Sequence, residues 1–224
     1  SVAYTFSRTK DDGSGRGDIL PNAYDDSGYY GISDLDRPHV LVSQMRYAFP
    51  TLESSAAPLR WVLGNWDISG IFQAQSGAPF DVRTPAGVDI AGVGAGSGTQ
   101  FYDQLSDPEV GRRTEWGPLP LPNNPQGAIW FNPAAFRAPV AGTFATTQEK
   151  NSLRQPGFWD INLSFRKGFR TIGTQRFDLR IEAFNIINRA RLGNAVTNPS
   201  AGDFGYIVSK TGNRTMQIGM QYVF

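Results

Sequence analysis

The chain has 224 residues, of which 40% are hydrophobic, 12% aromatic and only 18% charged, with Lys+Arg 21 against Asp+Glu 20 and no cysteine. That balance offers no basic field, so nucleic acid is not an expected partner, and without thiols there can be no disulfide, thiolate metal site or cysteine nucleophile. No apolar run exceeds four residues, which excludes a transmembrane helix or signal-peptide core and leaves strands as the only way to cross a membrane.

Six segments alternate with period two and are predicted to be strands. Ser1 to Thr9 sets Val2, Tyr4 and Phe6 against Ala3, Thr5 and Ser7, and its start in mid-pattern reads as a cut N-terminus. An Asp- and Gly-rich link, 11–37, leads to His39 to Phe49, where Leu41, Met45, Tyr47 and Phe49 oppose Gln44, Arg46 and Ala48. A short link, Pro50 to Arg60, precedes Trp61 to Gln75, with Trp66, Ile68, Gly70, Phe72 and Ala74 on one face and Ile71 as the misfit. The link 76–157 holds ten of the fifteen prolines, and within it the apolar pieces AIWF and GTFATT are candidates for a small hairpin.

Phe158 to Phe169 then carries Trp159, Ile161, Leu163 and Phe165 on one side and Asp160, Asn162, Ser164 and Arg166 on the other. After Arg170 to Thr174, the segment Gln175 to Ile187 opposes Phe177, Leu179, Ile181 and Ala183 to Arg176, Asp178, Arg180 and Glu182. The link 188–213 ends in a strand-turn piece, FGYIVSKTGN, and Thr215 to Phe224 closes the chain with Met216, Ile218, Met220, Tyr222 and Phe224 in alternation.

These segments approach or exceed the roughly 9 to 11 residues that a tilted strand needs to cross a bilayer, whereas globular strands average about 5 or 6. If they run up and down, the three long links fall at one end and the two short ones at the other, the arrangement of outer-membrane barrels. The fourth and fifth segments both carry charge at even positions. Pairing residues whose numbers add to 344 sets Arg166 against Asp178 and Asn162 against Glu182, whereas 342 sets Arg166 against Arg176 and Asp160 against Glu182. Opposite charges across a ladder contribute roughly 0.2 to 1 kcal/mol, so the first register is predicted.

The runs QPGFWDINLSFRKGF, RFDLRIEAFNIIN and FGYIVSKTGNRTMQIGMQYVF, with DRPHVLVSQMRYAFP and GNWDISGIFQAQSGAPF upstream, resemble the C-terminal barrel strands of TonB-dependent outer-membrane receptors, in particular the Oar-like group that carries a carboxypeptidase-regulatory-like N-terminal domain. The resemblance implies an all-β fold: residues 1–224 as an antiparallel up-and-down transmembrane β-barrel segment in the bacterial outer membrane, one part of a 22-stranded transporter for a large or scarce ligand. The plug domain and the energy-coupling box are absent from this chain. The implied partners are the lipid bilayer, the plug and remaining strands, the barrel-assembly machinery and the TonB complex, with no catalysis, cofactor or metal.

On this reading Arg166, Arg176, Asp178, Arg180 and Glu182 face the lumen, where they either contact plug or substrate or form a self-neutralising polar face. Ile218, Met220, Tyr222 and Phe224 resemble the signal read by the assembly machinery. Trp66, Trp159, Tyr47, Phe49, Tyr222 and Phe224 are candidate girdle aromatics. Asp11 to Asp18 and Asp34 to Asp36 could offer oxygens to calcium, but the first lacks the order of a calcium loop, and a solvated loop accounts for both. The tripeptide Arg16-Gly17-Asp18 looks like an adhesion motif and is common by chance. GVGAGSG at Gly92 to Gly98 lacks the strand and helix that a phosphate loop requires. His39, the single histidine, would have to serve any Ser-His-Asp triad, and no Gly-x-Ser-x-Gly elbow accompanies it. The rival is a secreted soluble β-sandwich that binds carbohydrate or mediates adhesion, because alternation alone does not say whether the apolar face meets lipid or a second sheet.

Overall fold

The computed structural model describes residues 1–15, 20, 22, 25–94, 100–147, 150–170, 173 and 175–224. Six strands form one antiparallel sheet in chain order: β1 (Val2–Phe6), β2 (His39–Ala48), β3 (Trp66–Gln75), β4 (Phe158–Arg170), β5 (Arg176–Phe184) and β6 (Thr215–Val223). Every neighbour in the sheet is the next wall strand in sequence, as an up-and-down wall requires, and among the described residues β1 and β6 each pair on one side only. At ~3.4 Å per residue β4 is about 40 Å long, and a tilt of ~40° would still give it about 30 Å of rise, the thickness of a hydrocarbon core.

The ladders carry one apolar face across the whole sheet. Tyr4 stands opposite Leu41, Leu41 opposite Ala74, and Ala74 opposite Trp159. Further along, Tyr47, Ile68, Phe165, Ile181 and Ile218 make another continuous row. Among the described residues no second sheet covers this face: Met45, Tyr47, Met216, Ile218, Met220 and Tyr222 are all more than half exposed. A soluble sandwich would bury them, so that alternative is set aside.

Several strand ends differ from the sequence expectation. β1 stops at Phe6 because the next ladder position faces Pro38, which has no N–H to donate, although its carbonyl accepts the Ser7 N–H at 3.2 Å. The third strand begins at Trp66, since Ala57–Leu63 is an α-helix (α1) and Asn65 takes a positive φ of 59°. Pro58 in the first turn supplies a helical φ, and Gly64 ends the helix where an added Cβ would lie 2.6 Å from the Thr51 carbonyl oxygen. A Trp-x-Leu spacing fits either period over so short a stretch. β5 ends at Phe184 because Asn185 is also left-handed, with φ 51°.

The predicted register between β4 and β5 is corrected. Arg166 lies opposite Arg180, and Gly168 lies opposite Asp178, so the numbers add to 346. Gly168 has no side chain to fill the space beside the Asp178 carboxylate, and Arg166 reaches that carboxylate diagonally at 2.8 Å. On its other side Arg166 directly faces Asp67 of β3. Diagonal and three-strand neutralisation removes the clash that a two-strand comparison predicts.

The buried core lies outside the sheet. Val82, Ala128, Trp130, Phe131, Ala135, Phe136, Leu153, Ala195, Phe204 and Ile207 cluster together, and all belong to the links after β3 and β5. The link 76–157 is therefore an ordered unit among its described residues. AIWF contributes Ala128, Trp130 and Phe131 to this core, with Gln126–Ile129 paired on one side to Arg113–Pro118 and on the other to Tyr206–Ile207. GTFATT forms no hairpin; Thr146 and Thr147 instead hydrogen-bond Asp103. The two strands within FGYIVSKTGN pair with Gln126–Ile129 and with Arg191–Leu192, not with each other. Gly205 is required at this junction: its φ is +86°, and a Cβ would come within 2.7 Å of the Phe131 carbonyl oxygen, while its own carbonyl accepts the Trp130 N–H at 2.9 Å.

Candidate functional site

Two features can act on molecules other than lipid: the polar face of the sheet and the cap built by the three long links. On the polar face, alternation from β2 to β5 brings together Arg46, Asp67, Arg166, Arg176, Asp178, Arg180 and Glu182. Arg46 grips Asp67 through two nitrogens, the shorter contact being 2.6 Å. Asp178 is buried and holds both Arg166, at 2.8 Å, and Arg176, at 2.9 Å. Glu182 accepts from Arg180 on its own strand and from Gln217 of β6. Among the described residues, Arg170 at the end of β4 has no acidic partner, and it directly faces Arg176. An open groove of about 560 Å³ crosses this face, lined in part by Arg46, Arg166, Asp178 and Arg180.

Nearer the long-link end, Asp160 is buried and pairs with Arg191, which comes from the link after β5, while one of its oxygens has no hydrogen-bond partner. The Arg189 guanidinium lies 4.6 Å from the Trp159 ring centre, on the opposite face. The link after β5 therefore straddles the end of β4.

The cap fixes the acidic stretches of the first link. Asp36 is buried, accepts the Thr9 N–H at 2.7 Å and pairs with Arg154. Burial raises its carboxyl pKa, but the Thr9 N–H, Arg154 and the nearby Arg8 together hold it below the ordinary value. Asp11 binds the buried Lys150, and Asn151 donates to the Ile32 carbonyl and to Asp34. The solvated-loop reading of these stretches is corrected: Asp36 is buried, and Asp11, Asp34 and Asp36 stitch the first long link to the second. Asp18 and the Arg16-Gly17-Asp18 tripeptide lie outside the described residues. Of the glycine-rich stretch, Gly92 and Gly94 are described; their N–H groups donate to Asp89 at 2.9 and 2.7 Å. A carboxylate already occupies the donors that a phosphate would need.

The apolar face bears aromatics toward both ends. Tyr4, Phe6 and Trp159 lie toward the long links, and Tyr47, Trp66, Phe169, Phe177 and Tyr222 toward the short ones. Helix α1 packs on this face at the short-link end, with Trp61 5.1 Å from Phe169 and the Trp66 indole donating to the Val62 carbonyl. Beneath it Lys167, the only Asp, Glu, Lys or Arg that the strands place on this face, donates to the Gly64 carbonyl and lies over Trp66 and Phe169. His39 belongs to this face too, held by the Tyr4 hydroxyl at 2.8 Å and stacked near Tyr4 and Phe6. Ile218, Met220, Tyr222 and Phe224 lie on or beside the free edge strand β6, all more than half exposed.

A sheet with one predominantly apolar face, one predominantly polar face and its buried cluster in the links is a membrane wall. Residues 1–217 match the family model of the outer membrane beta barrel domain. The chain belongs to that family. No curated protein and no solved structure matches it significantly. As an outer membrane beta barrel domain it resides in the bacterial outer membrane, where an apolar sheet face suits contact with the bilayer. Sequence reasoning found the strands and their faces and put Asp67 and Asp160 on the polar side without singling them out as site residues, but it missed Lys150 and Arg154. The pattern held a signal for Asp67, which shares the parity of the polar face of its strand. Lys150 and Arg154 sit in a link without periodicity and carry none.

Proposed function

We propose that this barrel wall belongs to a TonB-dependent outer-membrane transporter, with the polar face lining the lumen, the long-link cap outside the cell and the short links in the periplasm. The observation that carries the reading is the charge ladder from Arg46 to Glu182 on the face opposite the lipid contact. Its arginines are largely neutralised within the sheet, which suits a surface docked against a plug domain, and Arg170 and the groove beside Arg166 and Arg180 are the positions open to a ligand or plug carboxylate.

The open sheet supports a larger barrel. Six strands are fewer than the eight of small outer-membrane barrels, and each backbone group left unpaired in lipid costs several kcal/mol, so further strands must cover β1 and β6. In this proposal β6 is the strand read by the barrel-assembly machinery, through Ile218, Met220, Tyr222 and Phe224. The folded cap, placed over the mouth, is the element that selects a large or scarce ligand.

The test is ligand accumulation by cells carrying the intact protein, with and without a working TonB complex. Uptake that stops when coupling is removed supports the proposal. Uptake that continues unchanged identifies a passive channel and overturns it.

A further inference from the structure

Where β1 leaves the sheet, its alternation changes from aromatic to basic. Tyr4 and Phe6 lie on the apolar face, and the same parity continues with Arg8 and Lys10. Both cations line an open pocket of about 760 Å³ in the cap, together with His39, Tyr30, Lys150 and Arg154. His39 also contacts Tyr4 and Phe6, so the pocket begins where the lipid-facing aromatics end.

Its charges are unevenly committed. Lys150 is engaged by Asp11 and Arg154 by Asp36. Arg8 and Lys10 make no ion pair among the described residues; Lys10 lies 6.0 Å from the ring centre of the exposed Tyr30, and Arg8 is close enough to Asp36 to help depress its pKa. The site therefore presents two cations without an ion-pair partner among the described residues, beside the Asp36 carboxylate that Arg154 already holds, and one of the two is a planar guanidinium suited to paired phosphate oxygens. Basic side chains just above an aromatic girdle meet the headgroup layer, not the hydrocarbon.

We infer that Arg8 and Lys10 form a binding site for the phosphate of an anionic lipid headgroup in the leaflet at the long-link end. The inference rests on the apolar face meeting lipid and on the long links lying outside the cell. Continuity with the lipid-contacting face favours a lipid over a soluble anion, because a lipid bound here keeps its acyl chains against Tyr4, Phe6 and Leu41 while its phosphate reaches the pocket.

The experiment is native mass spectrometry of the intact protein in a zwitterionic detergent, titrated with lipid A and with dephosphorylated lipid A. Heat-modifiable migration confirms that each variant is folded. Lipid A should bind the wild type roughly tenfold more tightly than its dephosphorylated form, the Arg8→Gln/Lys10→Gln variant should lose that preference, and Arg8→Lys/Lys10→Arg should retain most of it. Equal affinity for the two lipids overturns the site, as does an unchanged preference in the glutamine variant. Displacement of lipid A by an equal concentration of inorganic phosphate assigns the pocket to a soluble anion and overturns the lipid assignment. Quenching of Trp159 by brominated acyl chains, read against Trp159→Phe, tests the underlying orientation separately: no quenching defeats that orientation, whereas quenching without phosphate preference defeats only this site.

Discussion

Arg166 faces Arg180 directly across the β4–β5 ladder yet bonds Asp178, two residues away, at 2.8 Å. The pair forms because Gly168, opposite Asp178, leaves the space empty and because Asp67 faces Arg166 from the other side. Asp178 thereby serves two arginines from a buried position. Its replacement by Asn should destabilise the folded barrel by about 1–3 kcal/mol, while removing the more exposed Arg180 should cost under about 1 kcal/mol. Urea unfolding of the detergent-folded intact protein would compare them, and equal losses would show that Asp178 has no special role.

The register itself can be trapped chemically. These 224 residues contain no cysteine, so they add no background to introduced pairs. Leu163→Cys with Ala183→Cys places thiols at directly opposed positions, and Leu163→Cys with Ile181→Cys places them on a diagonal. Opposed positions bring Cβ atoms to about 4.5–5.5 Å, against ~7 Å on the diagonal, so oxidation should cross-link the first pair in higher yield. The reverse ranking on denaturing gels would restore the 344 register.

Phe131 is 1% exposed and packs against Phe80, Phe136 and Phe204, with ring centres 5.2 to 5.8 Å away. Phe131→Ala should cost the cap about 3–5 kcal/mol. Because this core does not extend between the membrane strands, the wall should survive. Added protease should cut the links of the variant on whole cells while heat-modifiable migration persists; loss of both together would mean that cap and wall fold as one cooperative unit.

Acid should loosen the join between the first two long links. Asp36 and Asp11 have carboxyl pKa values held below the ordinary range, so their stabilisation is complete above the unfolded pKa of about 4 and disappears as pH falls through the lower folded value. Hydrogen exchange at the Thr9 and Ser33 amides should accelerate as pH drops below about 4, beyond the intrinsic pH dependence. Asp36→Asn should weaken protection at neutral pH and remove most of the additional acid response at Thr9. An identical acid response in the variant would locate the titrating group elsewhere.

Helix α1 depends on one close approach. A Cβ at Gly64 would lie 2.6 Å from the Thr51 carbonyl oxygen and 2.7 Å from that of Arg60, both backbone atoms with little freedom to yield. Gly64→Ala should displace α1 from the apolar face and free Lys167 from the Gly64 carbonyl. The expected readout is a change in Trp61 emission, taken as the difference from Trp61→Phe; an unchanged difference spectrum would show that the turn accommodates the methyl group.

The sequence alone was enough to place the six wall strands, apart from some of their ends, and to say which side chains share a face. Side-chain alternation is a local property of extended backbone, and it survives even at the misfit Ile71, which stands on the polar face opposite Asn162. The all-β class, the segregation of long and short links and the grouping of Arg176, Asp178, Arg180 and Glu182 follow from that alternation. Tertiary structure decided the rest. Register depends on both neighbours of a strand, and Asp67 belongs to a segment far from Arg166 in sequence. The helix at Ala57–Leu63 needed the contacts of Trp61 with Phe169 and of Gly64 with Lys167 to distinguish it from a strand start. The cap was least legible, because Val82, Phe131, Leu153 and Ile207 meet without any repeating spacing, and only the folded chain brings Lys150 to Asp11 and Arg154 to Asp36.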